Sequence, residues 1–206
     1  MPNKTEIGRI DKVSISDLSE KSKKLLEVPL FLYRKSIRYP LPEEYDNNLN
    51  QFYAILVEWI KQISEKIGTI QKIYVESITK TLEKARSQLR SFLRNNQLLK
   101  IIEDLLESGA QLEQTDDAAL LDEYLAWVED ANSADALEID FKYVIETKKE
   151  RASFISNKIK DTLSEGQLAI FFITPDLDPF IIYPQDIEII KFRPPVVDDI
   201  IKFLSN

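Results

Sequence analysis

The sequence predicts an α/β fold: a three-layer, Rossmann-like domain built on a mostly parallel sheet of about five strands. Three of the four glycines, Gly68, Gly109 and Gly166, each follow a helical pattern and precede a run typical of a strand. Because a left-handed glycine commonly ends a helix, this recurrence indicates successive αβ units. The run LAIFFI at 168–173 is apolar at every position, which is typical of a central strand covered on both faces.

The length and composition favour one globular domain. The chain has 206 residues, of which 44% are apolar and 30% charged, and this mix is typical of globular domains. Neither a fixed-period repeat nor a low-complexity segment divides it. We therefore predict a single α/β domain over residues 1–206, in which residues 1–27 form a peripheral N-terminal arm.

Five runs predict strands through their apolar, β-branched and aromatic content. In chain order they are 28–34, 73–75, 110–115, 168–173 and 186–192. The weak pattern of 110–115 predicts a place near the edge of the sheet, and the unbroken apolar run at 168–173 predicts its centre.

Helices are predicted between and after these strands. The clearest is 43–67, whose apolar residues recur at three- and four-residue steps. Five further helices are predicted. The first begins near Thr81, and the second ends before Gly109. The third runs from a cap at Thr115 or Asp116 through Trp127, the fourth covers 133–163 with a break near 147, and the fifth follows Pro194 and Pro195. Ser77 or Thr79 is expected to cap the helix that begins near Thr81.

The composition excludes several kinds of catalytic and metal-binding site. The chain contains no cysteine and no histidine, which excludes disulfides, thiolate nucleophiles, Ser-His-Asp triads and the usual Cys/His zinc sites. Its four glycines, at positions 8, 68, 109 and 166, also exclude the GxGxxG and GxxxxGK[ST] phosphate loops. Carboxylates, lysines, tyrosines and an oxygen-bound cation such as magnesium remain available for catalysis.

The charge balance bears on partners and location. The net charge is −8, which disfavours nucleic acid as the main partner, because phosphate binding requires a basic surface. The first residues lack the apolar core of a signal peptide, and no apolar run approaches the length of a membrane span. We therefore expect a cytoplasmic protein that has no membrane segment.

Carboxylates follow three predicted strands at the point where each strand ends. Glu76 follows 73–75, Asp116 and Asp117 follow 110–115, and Asp176 and Asp178 follow 168–173. Because ligands bind beyond the carboxyl ends of strands in open parallel sheets, these side chains are candidates for a magnesium site, with Glu76 as the catalytic acid or base. The alternative interpretation of Asp176-Leu177-Asp178 is a plain turn in which each aspartate bonds to nearby backbone.

This pattern resembles the Toprim domain of primases and topoisomerases, where a glutamate follows one strand and an Asp-x-Asp follows a later one. In that resemblance, IYVE supplies Glu76 as the general acid/base, and TPDLDP supplies Asp176 and Asp178 as the metal pair. The glycine that follows the glutamate in that family is replaced here by Ser77.

Arg151 follows Lys148 and Lys149 in the helical pattern that leads into 168–173. It is a candidate anion-binding residue, and the alternative is a solvated helix face. The stretch 146–173 resembles the C-terminal part of TraB/pheromone-shutdown and erythromycin-esterase-like proteins, with Arg151 and Glu76 as the matching positions. Since the histidines of those proteins have no counterpart here, the resemblance implies a member without their metal-dependent hydrolase chemistry.

More broadly, the order of elements resembles prokaryotic α/β proteins that open with VPLFLYR and P-x-P-x-x-Y and end with P-x-DIE and PP-x-x-D-x-I. The matching segments are Val28 to Arg34, Pro40 to Tyr45, Pro184 to Glu188 and Pro194 to Leu204. This resemblance implies a fold and no particular activity.

The residues favour a non-catalytic protein-interaction or accessory protein, because no complete catalytic set is recognisable. The acidic helical stretch 116–140 is the expected binding face, and the expected partner is another protein or a second copy of the chain. The alternative is a magnesium-dependent phosphoester hydrolase or transferase that uses Glu76, Asp176 and Asp178. A third hypothesis is an acidic protein that binds a small ligand at the sheet edge through backbone groups. No cofactor other than magnesium is implied.

Overall fold

A sheet of five parallel strands forms the centre of the protein in the computed structural model, which describes residues 22–32, 42–94, 96–132 and 137–204. The strands are β1 (Lys23–Pro29), β2 (Lys72–Val75), β3 (Gln111–Leu112), β4 (Leu168–Ile173) and β5 (Ile187–Lys191). The helices are α1 (Glu43–Ile67), α2 (Leu82–Phe92), α3 (Leu98–Glu107), α4 (Ala118–Ala131), α5 (Glu138–Thr162) and α6 (Val196–Leu204). The predicted α/β class is confirmed.

The strand order in the sheet is β3-β2-β4-β1-β5, and every strand pair among the described residues is parallel. β4 lies in the middle and is buried at all six positions, as its unbroken apolar run predicted. The two-residue β3 lies at one edge, as its weaker pattern predicted. The chain therefore crosses the sheet repeatedly and leaves the most apolar strand at its centre.

Side chains alternate along each strand and so divide the core into two apolar layers. Ile170 and Phe172 of β4 pack with α1, α2, α3 and α6. Ala169, Phe171 and Ile173 pack on the other face, against α5. Helices thus cover both faces of the sheet, which explains why β4 contains no polar residue.

The helix α1 has the predicted bounds. Its apolar stripe, from Tyr45 to Ile63, is buried, and the helix ends at Gly68, whose φ of +123° lies in the region that favours glycine. Among the described residues, no helix combines the length and apolar content that crossing a bilayer requires.

The first strand lies earlier in the chain than predicted. β1 spans Lys23–Pro29 rather than 28–34, so residues 23–27 of the predicted peripheral arm lie inside the sheet. Lys24 and Glu27 obscured this strand because charged residues usually mark exposed positions, yet both are buried here. Residues 1–21 of the predicted arm, and residues 33 and 34 of the predicted strand, lie outside the described ranges.

Two predicted helix caps were wrong. Asp117, rather than Thr115 or Asp116, caps α4, and its carboxylate accepts hydrogen bonds from the amides of Ala119 at 2.9 Å and Leu120 at 3.1 Å. Thr115 and Asp116 are fully buried instead, and the Thr115 hydroxyl accepts a hydrogen bond from the Val75 amide at 3.1 Å. α4 also continues past Trp127, as far as Ala131.

The helix α2 begins without a side-chain cap, at the N-cap residue Thr81 rather than at Ser77 or Thr79. Gln88 orders the loop before it: its side-chain oxygen accepts from the amides of Thr79 at 3.0 Å and Lys80 at 3.1 Å. Its amide group donates to the Ser77 carbonyl at 3.0 Å. A side chain nearly two turns into the helix therefore replaces the expected cap.

The helix α5 is continuous from Glu138 to Thr162, so the predicted break near 147 was wrong. Thr147 and Lys148, at that position, are buried helical residues. The helix tolerates the charged stretch because Lys148 and Arg151 each have carboxylate partners. Residues 133–136 of the predicted helix lie outside the described ranges.

Candidate functional site

Polar side chains from three strand ends meet at the carboxyl edge of the sheet. Glu76 follows β2, Asp116 follows β3, and Thr174 follows β4. Arg151 of α5 binds the first two of these, so it connects the edge to the helix that covers one face of the sheet. We call Glu76, Asp116, Arg151 and the residues bonded to them the ionic cluster.

Arg151 is the centre of the cluster and is only 1% exposed. Its Nε lies 3.1 Å from Oδ2 of Asp116, its Nη2 also binds that oxygen, and the same Nη2 lies 3.3 Å from Oε1 of Glu76. Burial alone would lower the pKa of Arg151, but the hydrogen bond and charge of Asp116 and the charge of Glu76 outweigh it and raise the pKa. The guanidinium therefore stays charged and is shared by two buried carboxylates.

Glu76 is held by the neighbouring strand end as well as by Arg151. Its Oε2 accepts hydrogen bonds from the Thr174 amide at 2.8 Å and from the Thr174 hydroxyl at 2.7 Å. Burial raises the pKa of Glu76 above its ordinary value, and the Arg151 charge and the Thr174 hydrogen bonds offset this only in part. Glu76 thus joins the ends of β2 and β4.

Tyr124 of α4 brings a second helix to the cluster. Its ring centroid lies 4.7 Å from the Arg151 guanidinium carbon, a cation–π contact. Its hydroxyl donates to Asp176 at 3.4 Å, and burial raises the pKa of Tyr124 to about 12. Lys148 binds the same aspartate, with its Nζ 2.7 Å from Oδ1. The cluster therefore ties α4, α5 and the loop after β4 together.

The two aspartates of the candidate metal pair, Asp176 and Asp178, form ion pairs with different lysines. Asp176 pairs with Lys148, whereas Asp178 pairs with Lys191 at 3.2 Å. Among the described residues, no group of three or more carboxylates is arranged to hold a metal ion. The magnesium site thus stays a prediction from sequence.

The other two candidate site residues, Arg151 and Glu76, both have ion-pair partners. The side chain of Arg151 faces two carboxylates rather than solvent, and that of Glu76 is 7% exposed. The structure brings these two together, as neighbours in one cluster, and joins Asp176 to them through Tyr124 and Lys148. An anion-binding role for Arg151 stays a prediction.

A second polar group involves a residue that sequence reasoning missed. Glu27, inside β1, accepts a hydrogen bond from the Tyr183 hydroxyl at 2.7 Å and pairs with Lys191 at 2.7 Å. Burial raises the pKa of Glu27, although the Lys191 and Tyr183 hydrogen bonds oppose this. An acidic residue inside an otherwise apolar run was the signal that could have revealed it, because such residues are rarely buried without partners.

The helix α4 and the first part of α5 form a hairpin that stands apart from the two core layers. α4 has no buried residue, and the first buried residue of α5 is Thr147. Trp127 stacks on Tyr143 across the hairpin, with ring centroids 4.4 Å apart. Because Arg151 marks the sheet edge and each helical residue adds about 1.5 Å, α5 extends roughly 20 Å past that edge. We call residues 118–132 and 137–146 the acidic hairpin.

One face of α5 is buried along part of its length only. Positions 141, 145, 148, 152, 155 and 159 recur at steps of four and three and therefore share a face. Ala152, Ile155 and Ile159 are fully buried against the sheet. Phe141 and Ile145, on the same face, are 55% and 40% exposed. The apolar stripe that builds the core thus continues into solvent.

The acidic hairpin also holds most of the negative charge of the protein. Its residues, 118–132 and 137–146, contain seven acidic side chains and a single lysine, a formal charge of −6, whereas the whole chain carries −8. The remaining residues therefore sum to −2. Within the described part of the hairpin, the one ion pair joins Lys142 and Glu146, at 3.6 Å. Five of its seven carboxylates are exposed and have no cation partner within the described ranges.

The chain was compared with known proteins at the level of families, sequences and structures. No protein-family model matches it, and neither the curated proteins nor the solved structures include a significant match.

Proposed function

We propose that the protein is a non-catalytic protein-binding module and that the acidic hairpin is its docking element. The observation that supports this is the apolar stripe of α5, which continues past the sheet in Phe141 and Ile145. The partner is a protein segment that presents positive charges around apolar side chains.

The apolar residues of the hairpin supply the attraction. Leu125, Leu137 and Ile139 are also exposed, by 53%, 63% and 45%. Burying one such side chain contributes about 1.5–3 kcal/mol. Because exposed apolar groups concentrated on one element mark interaction surfaces, the hairpin is a better candidate than the isolated exposed residues elsewhere.

The charge of the hairpin selects the partner. A surface with a formal charge of −6 repels acidic proteins and anionic membranes, and it attracts basic segments over about 8 Å in physiological salt. A basic amphipathic helix satisfies both the apolar stripe and the carboxylates around it.

A labelled peptide of about 18 residues, built from leucine and lysine with helical periodicity, provides the test. We expect the full chain to bind it, as measured by fluorescence anisotropy. The Phe141→Ser/Ile145→Ser variant should bind at least about tenfold more weakly, because it loses two apolar contacts. A peptide in which glutamate replaces lysine should not bind.

The matched control is Val57→Ser, which changes an exposed aliphatic residue on α1 (52% exposed) and should leave the affinity unchanged. Circular dichroism establishes that both variants fold. Equal affinity of the hairpin variant and the control would contradict the proposal. So would NMR shift changes on peptide addition that lie outside residues 118–146.

A further inference from the structure

A basic surface lies on the opposite layer of the protein from the acidic hairpin. Residues 79–94 contain one acid and five basic side chains, all five of them exposed. They are Lys80, Lys84, Arg86, Arg90 and Arg94, which we call the basic face. Within the described ranges only Arg90 of this group has an ion-pair partner, Glu103 at 2.9 Å. The basic face is therefore largely uncompensated by the other described residues of the chain.

The segment that carries the basic face also has an exposed apolar residue. Leu82, the first residue of α2, is 82% exposed and has a φ of +54°, a left-handed conformation that is unfavourable for any residue with a Cβ atom. The Gln88 hydrogen bonds to Thr79 and Lys80 hold the loop that places it there. Strained residues that a built loop keeps in solvent are concentrated at sites of function.

We propose that the partner of the acidic hairpin is the basic face of a second copy of the same chain. This inference rests on the proposed function and names its partner. The two surfaces carry opposite charges, and each adds exposed apolar side chains: Phe141 and Ile145 on the hairpin, Leu82 on the basic face. Such an interface provides the charge complementarity that helps to select a partner.

The position of the two surfaces makes the contact intermolecular. α2 packs in the core layer that contains α1, α3 and α6, whereas the hairpin extends from α5 on the other face. No ion pair joins the two surfaces among the described residues. Because the contact uses two different surfaces, it is head-to-tail, and further copies can add at both ends. Two hairpins facing each other would instead bring like charges together.

Sedimentation velocity of the full chain tests this self-association. The protein concentration is varied from about 5 to 500 μM, a range that spans the dissociation constants of weak contacts. We expect the mean mass to rise with concentration at about 0.05 M salt. At about 0.5 M salt we expect the association to weaken at least about tenfold, because the charges are then screened.

Charge reversal on each surface gives the sharpest comparison. Asp122→Lys/Glu129→Lys changes the hairpin, and Arg86→Glu/Arg94→Glu changes the basic face; none of these four residues has an ion-pair partner within the described ranges. Each variant alone should associate at least about tenfold more weakly than the wild type. A mixture of the two should form a complex, because it restores one native interface. Leu82→Ser should weaken association several-fold, and Val57→Ser should not.

The outcomes separate this inference from the proposed function. A wild-type chain that stays monomeric at low salt, or a mixture of the variants that stays monomeric, would overturn the self-association. If the chain still binds the lysine–leucine peptide through Phe141 and Ile145, the docking function stands and its partner is another protein. If both self-association and peptide binding are absent, both proposals fall.

Discussion

Arg151 is the residue on which three segments of the carboxyl edge converge. It binds Asp116 and Glu76 and lies against the ring of Tyr124. A single buried cation is thus shared by two buried carboxylates. Such an arrangement costs free energy to desolvate and is strongly sensitive to the loss of one member.

Replacing Arg151 with methionine leaves Asp116 and Glu76 buried without a cation. We expect the free energy of unfolding to fall by about 3–5 kcal/mol, the cost of breaking a buried ion pair from one side. Arg90→Met is the matched control, because the Arg90 side chain is 66% exposed and such a pair contributes about 0–1 kcal/mol. Urea unfolding of the two variants measures the decrease in the free energy of unfolding that each substitution causes. Equal decreases would show that the ionic cluster does not stabilise the fold.

The raised pKa of Glu76 predicts how the free energy of unfolding depends on pH. Because its pKa is raised in the folded protein above the ordinary value of 4.5, the folded state binds this proton more tightly than the unfolded chain. The resulting stabilisation is complete below pH 4.5 and is lost as pH rises through the folded pKa. Relative to Glu76→Gln, the wild type should therefore lose free energy of unfolding as pH rises from 4 to 8.

Urea unfolding at each pH checks this, as the difference between wild type and Glu76→Gln. The pKa of Glu27 is also raised, but its effect is common to both proteins and cancels in the difference. A difference that grows with pH would mean that Arg151 and Thr174 lower the pKa of Glu76 below its ordinary value.

At the scale of residues, the sequence indicated which side chains reach the carboxyl edge and not how they pair. Glu76, Asp176 and Arg151 were identified because each lies near the end of a predicted strand or on a charged helix. Their partners depend on which strands are neighbours, and β2 lies beside β4 only because the chain crosses the sheet. Side-chain pairing across about a hundred residues of sequence has no local pattern.

Among the elements, α5 differs most from its neighbours because one helix has two environments. Its C-terminal part packs on the sheet, while its first residues belong to the acidic hairpin. Local stability follows buried apolar contacts, so the two parts should open with different free energies.

We expect backbone amides of residues 118–132 and 137–146 to exchange with deuterium at least about tenfold faster than those of 148–159. The helix α1 is a suitable comparison, because it also has 25 residues and has one buried face that runs from Tyr45 to Ile63; its hydrogen-bonded amides should be protected from end to end. Exchange measured by mass spectrometry after proteolysis resolves these segments. Uniform protection along α5 would contradict the division of the helix.

Element prediction succeeded where one periodicity dominates. The bounds of α1 follow from an apolar stripe and a glycine, both local signals. The start of β1 was misplaced because Lys24 and Glu27 interrupt its apolar run, and only the Tyr183 and Lys191 side chains explain why Glu27 is buried there. The continuity of α5 likewise depends on partners for Lys148 and Arg151 that lie far away in sequence.

For the whole molecule, the uneven distribution of charge is the feature that most affects behaviour in solution. A net charge of −8 suggests a uniformly acidic surface, but the 25 residues of the acidic hairpin alone account for −6 of it. The potential around the protein is therefore directional, which favours oriented encounters with a partner. The uneven distribution of charge is visible in the sequence alone. The structure adds that the acidic hairpin stands apart from both core layers.

The position of β1 has a consequence for protein synthesis. Lys24 pairs with Leu168 of β4 on one side and with Glu188 of β5 on the other, so both neighbours of β1 are translated long after it. At roughly 5–20 residues per second, the nascent strand waits on the order of ten seconds for its first partner. During that time both of its hydrogen-bonding edges are open to other chains on the polysome. We therefore expect the sheet to close only late in translation, and chaperones that shield nascent strands to raise the yield of folded protein.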